Sequence, residues 1–192
     1  MFAFMLRRGD WLEAGLAALA EDGPNSLRID RLCRRLHVSK GSFHHHFAGA
    51  PDFKQSLLIA YENLVVESLD RAINQTEGAT PQATLANLTA AITNPQSFYR
   101  PELEVAMRAW AFSDPEVRLV QQRVDLRRLE SLQAIWSKIY SDPAAARTAA
   151  LVPYLVGIGA SLAQPPTPSD ELQRVYELLL GLVAGQTRGN GP

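Results

Sequence analysis

Apolar positions recur along this chain with the 3.6-residue period of amphipathic helices, and two-residue alternation bounded by hairpin turns is absent, so the fold is predicted to be all-α. Leu12, Leu16 and Leu19 form the first stripe, opened by Asp10 and Glu13 at capping-box spacing and stopped at Asp22-Gly23-Pro24. A short second helix is predicted from about Leu27 to Leu36, with Ile29, Leu32, Cys33 and Leu36 inward. His37-Val38 then turns tightly, and Ser39 caps a very short third helix through Phe47. Further helices are predicted over about 51–75, 81–93, 101–112, 115–140, 143–163 and 168–184, about nine in all. Three starts pair a capping residue with proline, whose fixed φ suits the first helical position: Asp114-Pro115, Asp142-Pro143 and Thr167-Pro168.

Residues 27 to 47 meet the needs of a helix-turn-helix: two short helices with an apolar inner face, a sharp turn, and a second helix whose outer face is free to enter a major groove. Leu32, Leu36, Val38 and Phe43 are expected to pack against Leu12, Leu16 and Leu19. Three divisions follow: a helix-turn-helix head over 1–50, a helical body over 51–184, and a glycine-rich disordered tail over 185–192.

The net charge of −1 looks unsuited to nucleic acid until it is divided along the chain. Between Arg28 and Lys54 six cations face two anions, a local +4, and all four histidines fall there; the remainder holds 13 cations and 18 anions. That is the distribution expected of a phosphate-facing head on an acidic body. The N-terminal arginines follow a very short apolar run rather than precede a longer one, so no export signal is predicted, and no stretch approaches the ~20 apolar residues of a membrane span. Cys33 is the only cysteine, consistent with a reducing cytoplasm.

The segment Val38-Ser39-Lys40-Gly41-Ser42-Phe43-His44-His45-His46-Phe47 resembles the recognition segment of the tetracycline-repressor (TetR) family, which usually reads Val-Ser-Lys-Gly-(Thr/Ser)-(Leu/Phe)-Tyr-x-His-Phe. The spacing of Gly23, Leu32 and Cys33 extends the likeness upstream; Arg108-Ala109-Trp110, Asp114-Pro115 and Val124-Asp125 resemble one branch of the family's variable body. The resemblance implies a DNA-binding regulator in which Arg28 lies beside a phosphate, Ser39, Lys40, Gly41 and Ser42 approach backbone and base edges, and His45 faces the groove. His46 and Phe47 are then structural. Three positions depart from the pattern: His44 replaces a phosphate-touching tyrosine, His37 a turn glycine, and Ala50 to Asp52 lack a lysine that opens the fourth helix. Histidine tolerates positive φ better than most residues. Lys54 and Arg35 are the candidate replacement phosphate contacts, and His44 would make binding pH-dependent.

The resemblance also implies an effector cavity in the body, with Tyr61, Phe98, Met107, Arg108, Trp110 and Trp136 as candidate lining. Arg108 also lies four residues from Glu104, a spacing that favours an ion pair. Leu151, Leu155, Ile158 and Leu162 on one helix, with Leu172, Val175, Leu179 and Val183 on the next, form apolar stripes that need a partner; a homodimer through a four-helix bundle is expected, with Gly157 and Gly159 allowing close approach and Pro153 kinking the first helix. The expected partners are an operator duplex and a small-molecule effector that releases it, with repression as the default.

No cofactor or metal is predicted. Consecutive histidines on a helix point about 100° apart and cannot converge on one ion. Catalytic signatures, such as a Gly-x-Ser-x-Gly elbow or a phosphate-cradling glycine loop, are missing, so an enzyme is not expected. The competing reading is a helical partner-binding protein whose head has lost operator reading through His44 and Ala50 to Asp52.

Overall fold

The computed structural model describes residues 6–76, 78–93 and 100–189, with side chains described in the last stretch as far as 181. Among these residues every regular element is helical: α1 (Arg8–Asp22), a 3₁₀ turn (Pro24–Leu27), α2 (Ile29–Arg35), α3 (Lys40–His46), α4 (Ala50–Asn74), α5 (Pro81–Thr93), α6 (Pro101–Ser113), α7 (Pro115–Trp136), α8 (Pro143–Leu162) and α9 (Ser169–Gly189). The all-α expectation holds. The chain divides into two compact units: residues 1–65 with 101–124, and 66–100 with 125–192.

Caps explain several boundaries. The Asp114 carboxylate accepts from the Glu116 and Val117 amides at 3.1 and 3.3 Å, and that of Asp142 from Ala144 and Ala145 at 3.1 and 3.3 Å. Two of the cap-and-proline pairs therefore work as read, whereas α9 begins one residue after Pro168. The start of α1 needs correction. It lies at Arg8, and Asp10 reaches back from the third helical position to accept the Arg7 amide at 2.6 Å. α9 continues to Gly189, so helical backbone extends into the predicted tail; residues 190–192 lie outside the described residues.

The first unit is held by two apolar clusters. In one, Trp11, Phe43, Phe47 and Phe53 interlock: Trp11 meets Phe43 edge-on at 5.4 Å, Phe47 meets Phe53 at 5.0 Å and 88°, and Phe43 contacts both phenylalanines. This core joins α1, α3 and α4, and it shifts the predicted stripe of α1. Trp11, Gly15, Ala18 and Leu19 are fully inside, while Leu12 and Leu16 are half-buried against the cluster. Gly15 is needed there, because a Cβ would stand 2.8 Å from the Phe53 ring. The other cluster packs Leu19, Leu58 and Tyr61 against Leu103, Met107, Val117, Val120 and Val124.

In the second unit Ala72, Leu85, Leu88, Ile135, Trp136, Ala146 and Ala150 form a separate core. α8 there is long and apolar enough to cross a membrane, by length and composition, and little of it is buried. The expectation that no segment approaches such a span is corrected at this helix.

Candidate nucleic-acid interface

α2 ends by a turn that its sequence dictates. The Val38 amide donates to the Cys33 carbonyl at 3.0 Å and the His37 amide to the Arg34 carbonyl at 3.3 Å, which closes the helix only if His37 enters the left-handed region; its φ is 55°. The positive φ anticipated for His37 is therefore present. The chain leaves the turn extended at Ser39, whose hydroxyl accepts the Ser42 amide at 3.4 Å and starts α3.

The seven residues of α3 then sort by period. Phe43 and, one residue past the helix end, Phe47 are buried, with Ser42 and His46 half-buried beside them. Lys40, Gly41, His44 and His45 form the exposed edge. Gly41 is not required by the fold: its φ is not positive, and an added Cβ would meet only the Ser39 hydroxyl at an ordinary 3.5 Å. A glycine inside a helix costs roughly 0.5–1 kcal/mol relative to alanine.

Electrostatics separates the head's cations into two sets. Arg34 bonds Asp30 at 3.2 Å, and Arg35 grips Glu21 with two bonds of 2.7 Å, which hold the Glu21 carboxyl below its ordinary pKa. Arg35 is thereby withdrawn from the phosphate role expected of it. Arg28, exposed at the start of α2, Arg31 and Lys40 have no ion pair among the described residues. These are the cations a phosphate backbone can engage without first breaking an internal bond.

Lys54 is a correction. Its ammonium is 2.7 Å from Asp114, 2.8 Å from Glu116 and 5.8 Å from the centre of the Trp110 ring. Burial opposes its charge, but the two carboxylates outweigh burial and raise its pKa. The same contact works on Asp114: burial would raise its pKa, yet the bonds from Lys54 and the Val117 and Glu116 amides lower it overall. Lys54 thus fastens α4 to the corner between α6 and α7. Sequence reasoning could not find an acceptor sixty positions away.

The predicted ligand residues do not form one group. Tyr61 and Met107 are buried in the same cluster, with Trp110 half-buried against it. Tyr61 donates to the Gln121 side chain at 3.1 Å, Gln121 donates to Glu104 at 3.3 Å, and Arg108 pairs with Glu104 at 2.7 Å. Glu104, 4% exposed, was anticipated only as the partner of Arg108, and Gln121 was missed. The i,i+4 spacing to Arg108 signalled the first, and no local signal marked the second. Trp136 belongs to the core of the other unit, and Phe98 lies outside the described residues. An open depression at the end of α4, lined by Glu67, Asp70, Arg71, Asn74 and Gln75, shares none of the predicted lining.

The dimer stripes also need revision. Leu155 (58% exposed), Leu162 and Val175 face outward as expected, joined by Val152 and by Leu178 (64%), which were not predicted. Leu151, Ile158 and Leu179 are half-buried, and the Val183 side chain lies outside the description. Leu172 is buried within its own unit beside Tyr176. Gly157 serves the same chain: an added Cβ would meet the Tyr176 hydroxyl at 2.8 Å, and that hydroxyl donates to the Pro153 carbonyl at 3.1 Å. Gly159 has open space around it.

An exposed polar edge on the second helix of a helix-turn-helix, flanked by cations that have no ion pair among the described residues, is the geometry that entry into a major groove requires. Residues 12–60 match the family model described as bacterial regulatory proteins, tetR family. Over this stretch, which runs from α1 into α4, the chain is similar to that family. It is 38% identical over 61 residues to the transcriptional regulator AcuR of Cereibacter sphaeroides, a match spanning 32% of this chain but only 28% of AcuR. It is 29% identical over 138 residues to the HTH-type transcriptional regulator BetI of Pectobacterium atrosepticum, covering 69% of each. The fold matches a Saccharomonospora viridis transcriptional regulator solved in complex with choline, with a TM-score of 0.75 and 16% identity over 91% of this chain and 95% of that one.

Proposed function

We propose that the protein is a homodimeric repressor that binds a near-palindromic operator and leaves it when a small molecule enters its body. Residues 1–50 read the DNA, and 51–184 hold effector and partner. The observation that carries this reading is the outer edge of α3, where Lys40 has no ion pair among the described residues and Gly41 answers no need of the fold. Two such edges entering successive major grooves would lie about 34–36 Å apart. Ser39, Ser42, His44 and His45 approach bases and phosphates on this reading, and Arg28 meets the strand at the start of α2.

Dimerisation is supported by Val152, Leu155 and Leu162 on α8 and Val175 and Leu178 on α9, apolar side chains left outside by their own unit. A second copy is a better match for α8 than a bilayer, because Ala146 and Ala150 on the same helix are buried in the unit's core and Arg147 reaches the Gln133 side chain at 3.5 Å. Effector binding is supported by the polar set of buried Tyr61, Glu104 and Gln121 with partly buried Arg108, which a ligand with complementary groups would rearrange. A coupling on the order of 1–3 kcal/mol between the two sites would suffice for regulation. The protein acts in the cytoplasm, where the DNA is.

The test is operator binding to fragments flanking the protein's own gene, titrated from low to physiological salt. Sequence-selective binding that weakens in Lys40→Ala and Arg28→Ala, each with a flatter salt dependence, is the expected result. Weak, unselective binding would instead support the partner-binding reading.

A further inference from the structure

The exposed edge of α3 has permanent cations toward its start, Lys40 and the nearby Arg28, but none from Gly41 to Phe47, and Ala50 to Asp52 add none. A cation reaches that end from elsewhere. The Arg8 guanidinium, from the first turn of α1, lies 5.0 Å from the centre of the Phe47 ring, at the residue that closes α3. Its Nη2 donates to the Ser56 hydroxyl at 2.6 Å and to Asp52 at 3.4 Å. All four residues belong to the same compact unit.

These contacts hold the guanidinium without satisfying it. Arg8 has five N–H donors, and among the described residues Nε and Nη1 meet no acceptor. The side chain is 53% exposed. Its carboxylate partner is a long one, and the other oxygen of Asp52 is already occupied by the Ala48 amide at 2.8 Å. Half-exposed pairs of this kind contribute little to stability. The group also stands by the positive end of α4, where the helix dipole disfavours a cation. Internal stabilisation therefore accounts poorly for the arrangement, whereas an incoming anion would answer both the open donors and the dipole.

We propose that Arg8 is a DNA-phosphate contact, stacked on Phe47 and steered by Asp52 and Ser56 so that its free edge meets the strand at the C-terminal end of α3. The inference rests on the DNA-binding reading above. On it, the phosphate cation missing from the start of α4 is supplied by α1, and Asp52 serves as its guide. Guanidinium suits this task because its planar fork matches phosphate oxygens.

The test uses the full-length protein, a duplex enriched by the wild type from a random pool, and an unrelated duplex of equal length. Arg8→Ala is expected to weaken binding to both duplexes by a similar factor, about tenfold, and to flatten the slope of log affinity against log salt by about 0.9, one phosphate's worth. Arg8→Lys should keep most of the slope. A wild-type slope in Arg8→Ala would overturn the proposal, as would weaker binding at unchanged slope with a lowered melting temperature, the mark of a purely structural residue. If the wild type enriches no sequence at all, the DNA-binding reading fails and this inference with it; selective wild-type binding that still responds to Lys40→Ala but not to Arg8→Ala removes Arg8 alone.

Discussion

In the head, the large apolar side chains are consumed inside: Trp11, Phe43, Phe47 and Phe53 close on one another, and what remains outside on α3 is Lys40, Gly41, His44 and His45. On α8 and α9 the outside is apolar, with Leu155 and Leu178 more than half exposed while Tyr176 and Leu172 are buried. Both surfaces are incomplete, in opposite senses. Unpaired cations beside a small-residue edge suit a charged, hydrated partner that must come close. Exposed leucines at helical spacing suit a dry partner of the same kind.

The comparison is broken most sharply at the apolar surface. Leu155→Glu combined with Leu178→Glu should weaken self-association by on the order of 5 kcal/mol or more, since four leucines per dimer each lose roughly 1.5–3 kcal/mol of burial. Sedimentation should show monomer where the wild type shows dimer, with helical content retained; an unchanged dimer would mean that other surfaces form it. Next in size is the head. Phe43→Ala removes the ring shared by Trp11, Phe47 and Phe53 and should cost about 3–5 kcal/mol in chemical denaturation of the head, with operator binding lost.

A smaller effect tests the Lys54 clamp. The Asp114 carboxyl has a lowered pKa in the folded chain, so the unfolded state binds the proton more readily. Its stabilisation is complete above the unfolded aspartate's range and is lost as pH falls through the lower, folded value. Asp114→Asn keeps a helix-capping oxygen and loses the ion pair, so it should cost about 1 kcal/mol at neutral pH and nothing in strong acid, as read from denaturation midpoints across pH. The smallest effect lies in the turn. His37→Gly should raise stability by about 0.5–1 kcal/mol, because the φ of 55° strains a side chain that glycine lacks; a fall in melting temperature would mean that the imidazole makes a contribution larger than the strain.

The helix order, the tight turn at His37, the cap at Ser39 and the exposed residues of α3 were all legible in the sequence. So was the Glu104–Arg108 pair. Each depends on groups within about one helical turn, where spacing alone sets which side chains and amides meet. What failed was the choice among equivalent apolar or charged positions. α1 buries Trp11 and Gly15 more deeply than Leu12 and Leu16 because Phe53 and Leu57 come down on that side.

Tertiary structure alone decided that Lys54 belongs to Asp114 and Glu116, that Leu172 turns inward while Leu178 stays out, and that Gly157 makes room for Tyr176. It also brought Arg8 onto Phe47, across 39 positions of chain. A periodic sequence states that a helix has an apolar side and where its ends are capped. Which neighbour covers that side, and which distant carboxylate claims a lysine, depends on how the helices pack, because side-chain packing and charge pairing act through space and leave no mark on local spacing.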